Sequence, residues 1–303
     1  MYPAGTRHKL RSTRNGIFLI NAHDTFVSRS LDLYGEWSES EVALFRLIVR
    51  PGDVVIDVGA NIGAFTVPLL HMVGATGAVI AFEPQRPLFQ LLNANVALNE
   101  FSNCFAYNQA VGSERGDTIV PRVNYSFTGN FGGISLVEDW ASRGPFEYVE
   151  RVRLDDYLPK LSSCPSFVKV DVEGMELDVL AGAQTLTKTC KPVWHVENNC
   201  VKGSEELIRY FQDQEGYVMF WDVHTYFSEN NFYQNTEDVF TESYLSMNVL
   251  AVPEERRELL DLCVKRDMVR VNAGKFLLQD YVMKYKGRNV QIKQLGDRDS
   301  CKR

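Results

Sequence analysis

From about residue 38 to residue 252, short apolar runs bounded by turn residues alternate with stretches of helical period. Val54–Val58, Ala78–Phe82, Phe105–Val111, Phe167–Val172, Val193–Glu197, Val218–Trp221 and Met247–Val252 read as strands. Runs this short and this apolar suit a sheet covered on both faces. A helix begins after Ser38, with Val42, Phe45, Ile48 and Val49 on one side, and Ser38 and Glu41 have the spacing of a capping box. Further helices are predicted over Ile62–Met72, Pro87–Asn99 (Leu88, Leu91, Leu92 and Val96 inward), Met175–Leu186 and Ser204–Gln214. Strand and helix in alternation predict βαβ units, hence a doubly wound α/β fold with a mostly parallel sheet.

Two stretches interrupt the rhythm. Residues 113–155, with aromatics and the glycines Gly129, Gly132 and Gly133, and residues 223–246, rich in Asn, Tyr and Phe, are long and read as insertions that wall an active site. The chain thus divides into an N-terminal extension (1–37), a central domain (38–253) and a C-terminal extension (254–303), the last expected to hold two helices and a charged end.

Composition narrows the partners. At 45% apolar and 23% charged, the 303 residues suit a globular protein. The net charge of −7 opposes phosphate backbones, so nucleic acid is an unlikely partner. None of the six cysteines has the spacing of a zinc knuckle or redox pair, and reduced thiols in a cytoplasmic protein are expected. The N-terminus is polar and basic, and no apolar run is long enough for a signal segment or a membrane span.

The chemistry concentrates where the first strand turns into a helix, at Asp57-Val58-Gly59-Ala60-Asn61-Ile62-Gly63. Glycines there let backbone approach a ligand closely, with helix N–H groups aimed at it. Glu83, twenty residues after Gly63, ends the second strand, where a carboxylate can accept both hydroxyls of a ribose. Asn61 replaces the middle glycine of a dinucleotide turn, and no Gly-Lys-Ser/Thr follows. Asp57 suits an amino group and repels phosphate. A nucleoside with an amino-acid end and no phosphate is expected: S-adenosylmethionine.

These residues, with Phe82-Glu83-Pro84, Phe167-Val168-Lys169-Val170-Asp171-Val172-Glu173-Gly174-Met175-Glu176, Leu180-Ala181-Gly182-Ala183 and Ser246-Met247-Asn248-Val249-Leu250-Ala251, resemble the FkbM family of methyltransferases over about 38–253. The resemblance implies a Rossmann-like class I methyltransferase fold of seven strands, six parallel and one reversed. It implies methyl transfer, usually to oxygen, on sugars or natural-product hydroxyls. It places Asp57, Gly59, Asn61 and Gly63 at the methionine end, Glu83 at the ribose, and Gln109 and Ala110 by the adenine.

On the acceptor side, Asp171 ends the fourth strand and Glu197-Asn198 the fifth, so all three should converge near the transferred methyl. A carboxylate or a metal can remove the acceptor's proton. Asp171, Glu197 and Asn198 also fit an oxygen-ligand site for Mg²⁺. Asp171 and Glu173 have a second reading as caps of the following helix. His224, in the aromatic insertion, is the better candidate base of two histidines, and His195 reads as a core residue. Lys169 invites comparison with the Lys-Asp-Lys-Glu set of RNA ribose methyltransferases, but the remaining members have no match. The leading expectation is O-methylation of a glycan or small molecule. The alternatives are an RNA or other polymer methyltransferase, favoured by the tail cations Lys284, Lys286, Arg288, Lys293 and Arg298, and a cofactor-binding partner subunit without catalysis.

Overall fold

The computed structural model describes residues 7–199, 203–214, 216–240 and 245–271, and the backbone of 281–285 and 288–292. The chain opens with a hairpin, β1 (His8–Thr13) and β2 (Gly16–Asn21), and a short helix, α1 (Val27–Leu33). Then come α2 (Glu39–Ile48), β3 (Val54–Val58), α3 (Thr66–Val73), β4 (Ala78–Phe82), α4 (Arg86–Leu98) and β5 (Cys104–Tyr107). A separate small sheet holds β6 (Ala110–Val111), β7 (Gly116–Pro121) and β8 (Phe146–Val152) in the order β6-β8-β7. The main alternation resumes with β9 (Phe167–Val170), α5 (Glu176–Ala181), α6 (Gln184–Cys190), β10 (Val193–Glu197), α7 (Ser204–Asp213), β11 (Tyr217–Thr225) and β12 (Leu245–Pro253). After these lie α8 (Arg257–Lys265), β13 (Val269–Arg270) and a hairpin, β14 (Tyr281–Tyr285) with β15 (Arg288–Ile292).

The main sheet runs β13-β11-β12-β10-β9-β3-β4-β5. Its five strands from β10 to β5 are mutually parallel, and β12 runs against both its neighbours. The sheet has eight strands, not the expected seven, because Val269 and Arg270 pair with Trp221 and Phe220 at the edge. Successive side chains of a strand point to opposite faces. In β3, Ile56 and Val58 therefore join Val179 and Leu180 of α5, Leu186 of α6, and Leu207 and Phe211 of α7 on one face. Val55 joins Phe45 of α2, Leu69 of α3, Leu92 of α4 and Leu259 of α8 on the other.

Four local expectations change. The run Phe105–Val111 is not one strand: the Asn108 amide donates to the Glu83 and Pro84 carbonyls (both 2.9 Å), and beyond it the chain leaves the sheet to pair with β8. The helix over Met175–Leu186 is two helices parted at Gly182, where an added Cβ would stand 2.0 Å from the Gly112 carbonyl oxygen. The capping box at Ser38 does not form: Ser38 sits at φ 41° with no side-chain cap, and its hydroxyl donates to the Glu41 carboxylate at 2.9 Å. In the tail, the described residues hold one helix followed by strands, and 272–280 and 293–303, where a second helix was expected to find room, lie outside the described residues.

The N-terminal hairpin is docked on α4. The Asn95 amide accepts from the Leu19 N–H and donates to the Leu19 and Ile62 carbonyls. One turn later, the Asn99 amide accepts from the Ile17 N–H and donates to the Ile17 carbonyl. The expectation of reduced thiols is also corrected, since Cys164 and Cys190 form a disulfide with Cα atoms 5.2 Å apart. It ties the segment before β9 to the end of α6, at the N-terminal ends of β9 and β10. Cys104 and Cys263 are free thiols, and Cys200 and Cys301 lie outside the described residues. Among the described residues no helix is long and apolar enough to cross a membrane.

Candidate active site

In an open parallel sheet, ligands sit at the carboxyl ends of the strands, and the polar residues of this chain gather there. The turn after β3 is held open by positive φ at Gly59 (81°), Asn61 (52°) and Gly63 (88°). A Cβ on Gly59 would stand 1.8 Å from the Asp171 carbonyl oxygen, so the ends of β3 and β9 touch through backbone. From below, the Gly59 and Ala60 N–H groups donate to the Phe82 carbonyl at 3.0 and 2.9 Å.

Glu83 closes the turn from the end of β4. Its two carboxylate oxygens accept the N–H of Asn61 and that of Gln85, both at 2.8 Å. Burial pushes its carboxyl up to about 7. Gln85 donates to the Phe131 carbonyl and accepts from the Tyr125 hydroxyl, so the first insertion is clasped over the glycine turn. The Asn61 side chain lies against Gly132 of the same insertion.

Asp57, expected at the methionine end, lies beneath the turn. It is fully buried, accepts from the Thr66 hydroxyl at 2.6 Å, and its other oxygen lies 3.5 Å from Lys169 Nζ without a directed hydrogen bond. Lys169, 2% exposed, donates to the Gly59 carbonyl at 3.2 Å and lies 3.4 Å from the Asp171 carboxylate and over the Phe65 ring. Burial opposes its charge, but Asp171, Asp57 and Glu41 together hold its ammonium above the ordinary lysine range.

Gln109 and Ala110, expected by the adenine, are both engaged with the small sheet and its neighbours. The Gln109 amide donates to Glu150 and accepts from the Tyr157 hydroxyl, while Ala110 is buried in β6 with Val120 and Val149. The neighbouring Asn108, bound to the carbonyls of Glu83 and Pro84, is the residue that reaches this corner.

At the ends of β9 and β10, Asp171, Glu173 and Glu197 each offer an oxygen within 4.8 Å of the others. Asn198, expected among the metal ligands, is turned away: it is buried, and its amide donates to the Ser204 hydroxyl at 2.9 Å. Glu173 takes its place because its own backbone is left-handed (φ 54°). Glu173 is not the helix cap either, since Glu176 accepts the Val172 and Gly174 N–H groups at 3.2 and 3.1 Å. Three oxygens of this kind could hold a divalent cation. Burial, followed by the Asp171 charge, pushes Glu173 up to about 8 and Glu197 well above the carboxylate range. Tyr226, stacked on Trp37 at 4.9 Å, feels the charges of Glu197, Glu41 and Asp171, which add to burial in raising its phenol.

The two histidines belong to one buried network. His195 Nε2 lies 2.8 Å from Asp222, as a core histidine with a partner. His224 stands between carboxylates, with Nδ1 3.5 Å from Asp222 and Nε2 2.7 Å from Glu41, the latter by proximity rather than a directed hydrogen bond. Burial opposes its charge, but Asp222 and Glu41 raise it to about 10, and His224 holds Glu41 down to about 2. His224, the expected general base, is thus buried and engaged as the partner of two carboxylates. Glu41 also accepts from Ser246 at 2.7 Å. The one signal for this network was the spacing of Asp222 and His224, two apart on a strand and hence on one face.

A model of the methyltransferase FkbM domain matches residues 57–232. Among solved structures, an FkbM methyltransferase from Methylobacillus flagellatus aligns at 15% identity over 70% of this chain and 50% of that one, with a TM-score of 0.43. The chain thus spans half the length of that protein. A putative rRNA methylase from Clostridium thermocellum aligns at 11% identity over 71% and 96%, with a TM-score of 0.42. A precorrin-6y C5,15-methyltransferase from Geobacter metallireducens aligns at 12% over 70% and 85%, with a TM-score of 0.44. No curated protein matches the chain. The FkbM match takes in the glycine turn, Glu83 and the carboxylates at the ends of β9 and β10, and it covers more than half of the sequence: the chain belongs to the FkbM methyltransferase family.

Proposed function

We propose that the chain transfers a methyl group from S-adenosylmethionine to a hydroxyl of a sugar, a glycan or a small natural product. One observation carries this reading: a carboxylate-bearing glycine turn at β3 and β4 adjoins three converging carboxylates at the ends of β9 and β10. The turn fits that cofactor by its donor set. Glu83 can receive a ribose diol, and the nearby ammonium, Lys169, is buried beneath the turn where it would not meet a phosphate. When bound, S-adenosylmethionine supplies an electrophilic methyl on a sulfonium.

The chain's own groups do the rest. Gly59 and Gly63 let the backbone lie close under the methionine end, and Asp57 braces the turn from below through Thr66 and Lys169. Asp171 is the carboxylate that takes the acceptor proton as the new carbon–oxygen bond forms and the carbon–sulfur bond breaks. Glu173 and Glu197, raised by burial, hold protons near neutral pH and hydrogen-bond the acceptor as donors. Trp37 and Tyr226 supply an aromatic wall. The clustered acids disfavour a phosphate-bearing polymer. The side chains of the tail cations from Lys284 onward lie outside the described residues.

The test uses Asp171→Asn. S-adenosylhomocysteine should raise the melting temperature of the wild type and of the variant alike, by about 2.7 kcal/mol of linkage at a hundredfold excess over Kd. Methyl transfer to a panel of sugars and natural-product alcohols should fall about 10²–10⁴-fold in the variant. Full turnover by Asp171→Asn would remove Asp171 as the base. Loss of turnover on chelation alone would move the role to a metal held by Asp171, Glu173 and Glu197.

A further inference from the structure

We propose that Lys169 is a positioning residue that holds the cofactor turn and the acceptor-side carboxylate in register, by gripping the Gly59 carbonyl and the Asp171 carboxylate with one ammonium. The inference rests on the reading of this cleft as a methyl-transfer site.

Three contacts define the geometry. Lys169 Nζ donates to the Gly59 oxygen at 3.2 Å, and carboxylate oxygens of Asp57 and Asp171 lie at 3.5 and 3.4 Å. An ammonium has three protons to give and no need of more partners. Its stem is enclosed, and the ring of Phe65 lies 5.0 Å from the nitrogen, so its reach is fixed. The register of the strands sets this up, since Asp57 and Lys169 are paired neighbours across β3 and β9, and Asp171 lies two residues further on the same face.

The partners differ in what they need. Asp57 is fully buried and already accepts from Thr66, so a bare charge balance would be met by a lysine aimed at Asp57 alone. Lys169 instead spends its one directed bond on Gly59, in the turn where backbone must lie close to a ligand. It then reaches Asp171, whose side chain is 36% exposed and which it holds from the side opposite the open cleft shared with Glu173 and Glu197. A displacement of the turn is thereby transmitted to the carboxylate that meets the acceptor. The lysine touches neither cofactor nor acceptor in this arrangement and acts through these two groups.

The experiment separates positioning from charge balance without requiring the acceptor. Two probes are titrated by calorimetry: S-adenosylhomocysteine, and sinefungin, which carries a protonated amine where the transferred methyl would be. In the wild type, Asp171→Asn should weaken sinefungin relative to S-adenosylhomocysteine about tenfold. In a Lys169→Met background the same change should cost less than threefold, because the carboxylate is no longer held toward the amine. Lys169→Met should also weaken S-adenosylhomocysteine tenfold or more through the released turn. Should Lys169→Met alone unfold, Asp57→Asn with Lys169→Met removes the buried pair together and should recover most of the melting temperature. That double variant should still bind S-adenosylhomocysteine at least tenfold more weakly. Wild-type affinity in the folded double variant, or an equal Asp171→Asn penalty in both backgrounds, overturns the proposal and leaves the site reading intact. Failure of the wild type to bind either probe overturns both.

Discussion

Glu83→Gln should move stability and cofactor affinity in opposite directions above neutral pH. In the native chain both carboxylate oxygens accept a backbone N–H at 2.8 Å, and burial raises the carboxyl from 4.5 to about 7. At about 1.4 kcal/mol per tenfold change in proton affinity, that rise disfavours the charged form by about 3 kcal/mol relative to the unfolded chain. The folded state therefore binds this proton more tightly. The stability it contributes is fully present below about pH 4.5 and is lost as pH rises through about 7. A glutamine is neutral throughout and is spared that loss. Its oxygen serves one of the two N–H groups, while its NH₂ faces the other, at a cost of about 1–3 kcal/mol. The variant should then melt below the wild type at pH 5 and level with or above it at pH 8. The gap should change by several degrees, at about 2–4 °C per kcal/mol. S-adenosylhomocysteine should bind the variant more weakly at pH 8, where the ribose loses a charged acceptor, and the difference should shrink at pH 5, where the carboxyl is already neutral. Thermal melts at the two pH values, with and without ligand, make the measurement. A melting difference that is the same at pH 5 and pH 8 would refute the reasoning.

Two further outcomes can be measured the same way. His224 is raised from 6.5 to about 10, so the stability it contributes is fully present below about pH 6.5 and is lost as pH climbs through about 10. His224→Gln should cost about 3–5 kcal/mol at pH 7 by leaving the Glu41 charge buried without a cation and Asp222 with His195 alone, and should flatten the melting curve against pH between 7 and 10. Cys164 and Cys190 close a loop across 26 positions, so reduction, or Cys164→Ser with Cys190→Ser, should lower stability by about 3–4 kcal/mol. Affinity for S-adenosylhomocysteine should stay within twofold, because the bond lies at the opposite ends of the strands; a large loss would show that the two ends are coupled.

The parts legible in the sequence are those whose signal is local. β3, β4, β10 and their helices follow from apolar runs and turn residues, and the glycine turn with Glu83 follows from spacing along one βαβ unit. The rest depends on partners far away in the chain. Glu41 looked like half of a capping box, yet besides the Ser38 hydroxyl it meets His224 and Ser246, the latter 205 positions distant. Asn198 and Glu173 exchanged places because one left-handed residue redirects the turn after β9, and residue type alone does not announce that backbone. The disulfide escaped notice because its cysteines have no motif spacing and meet only when β9 and β10 lie side by side.

The docking of the N-terminal hairpin has a consequence for how copies of this chain behave toward one another. A strand with one free edge is a template, ready to recruit another strand. β2 has β1 on one side, and on the other the amides of Asn95 and Asn99 occupy the N–H and C=O of Leu19 and Ile17, as a neighbouring strand would. Helix α4 thus stands in for a strand and seals that edge with side chains alone. Asn95→Leu with Asn99→Leu would unseal it, and the exposed edge would be a site for strand exchange between molecules. The two asparagines guard against self-association as much as they support the fold.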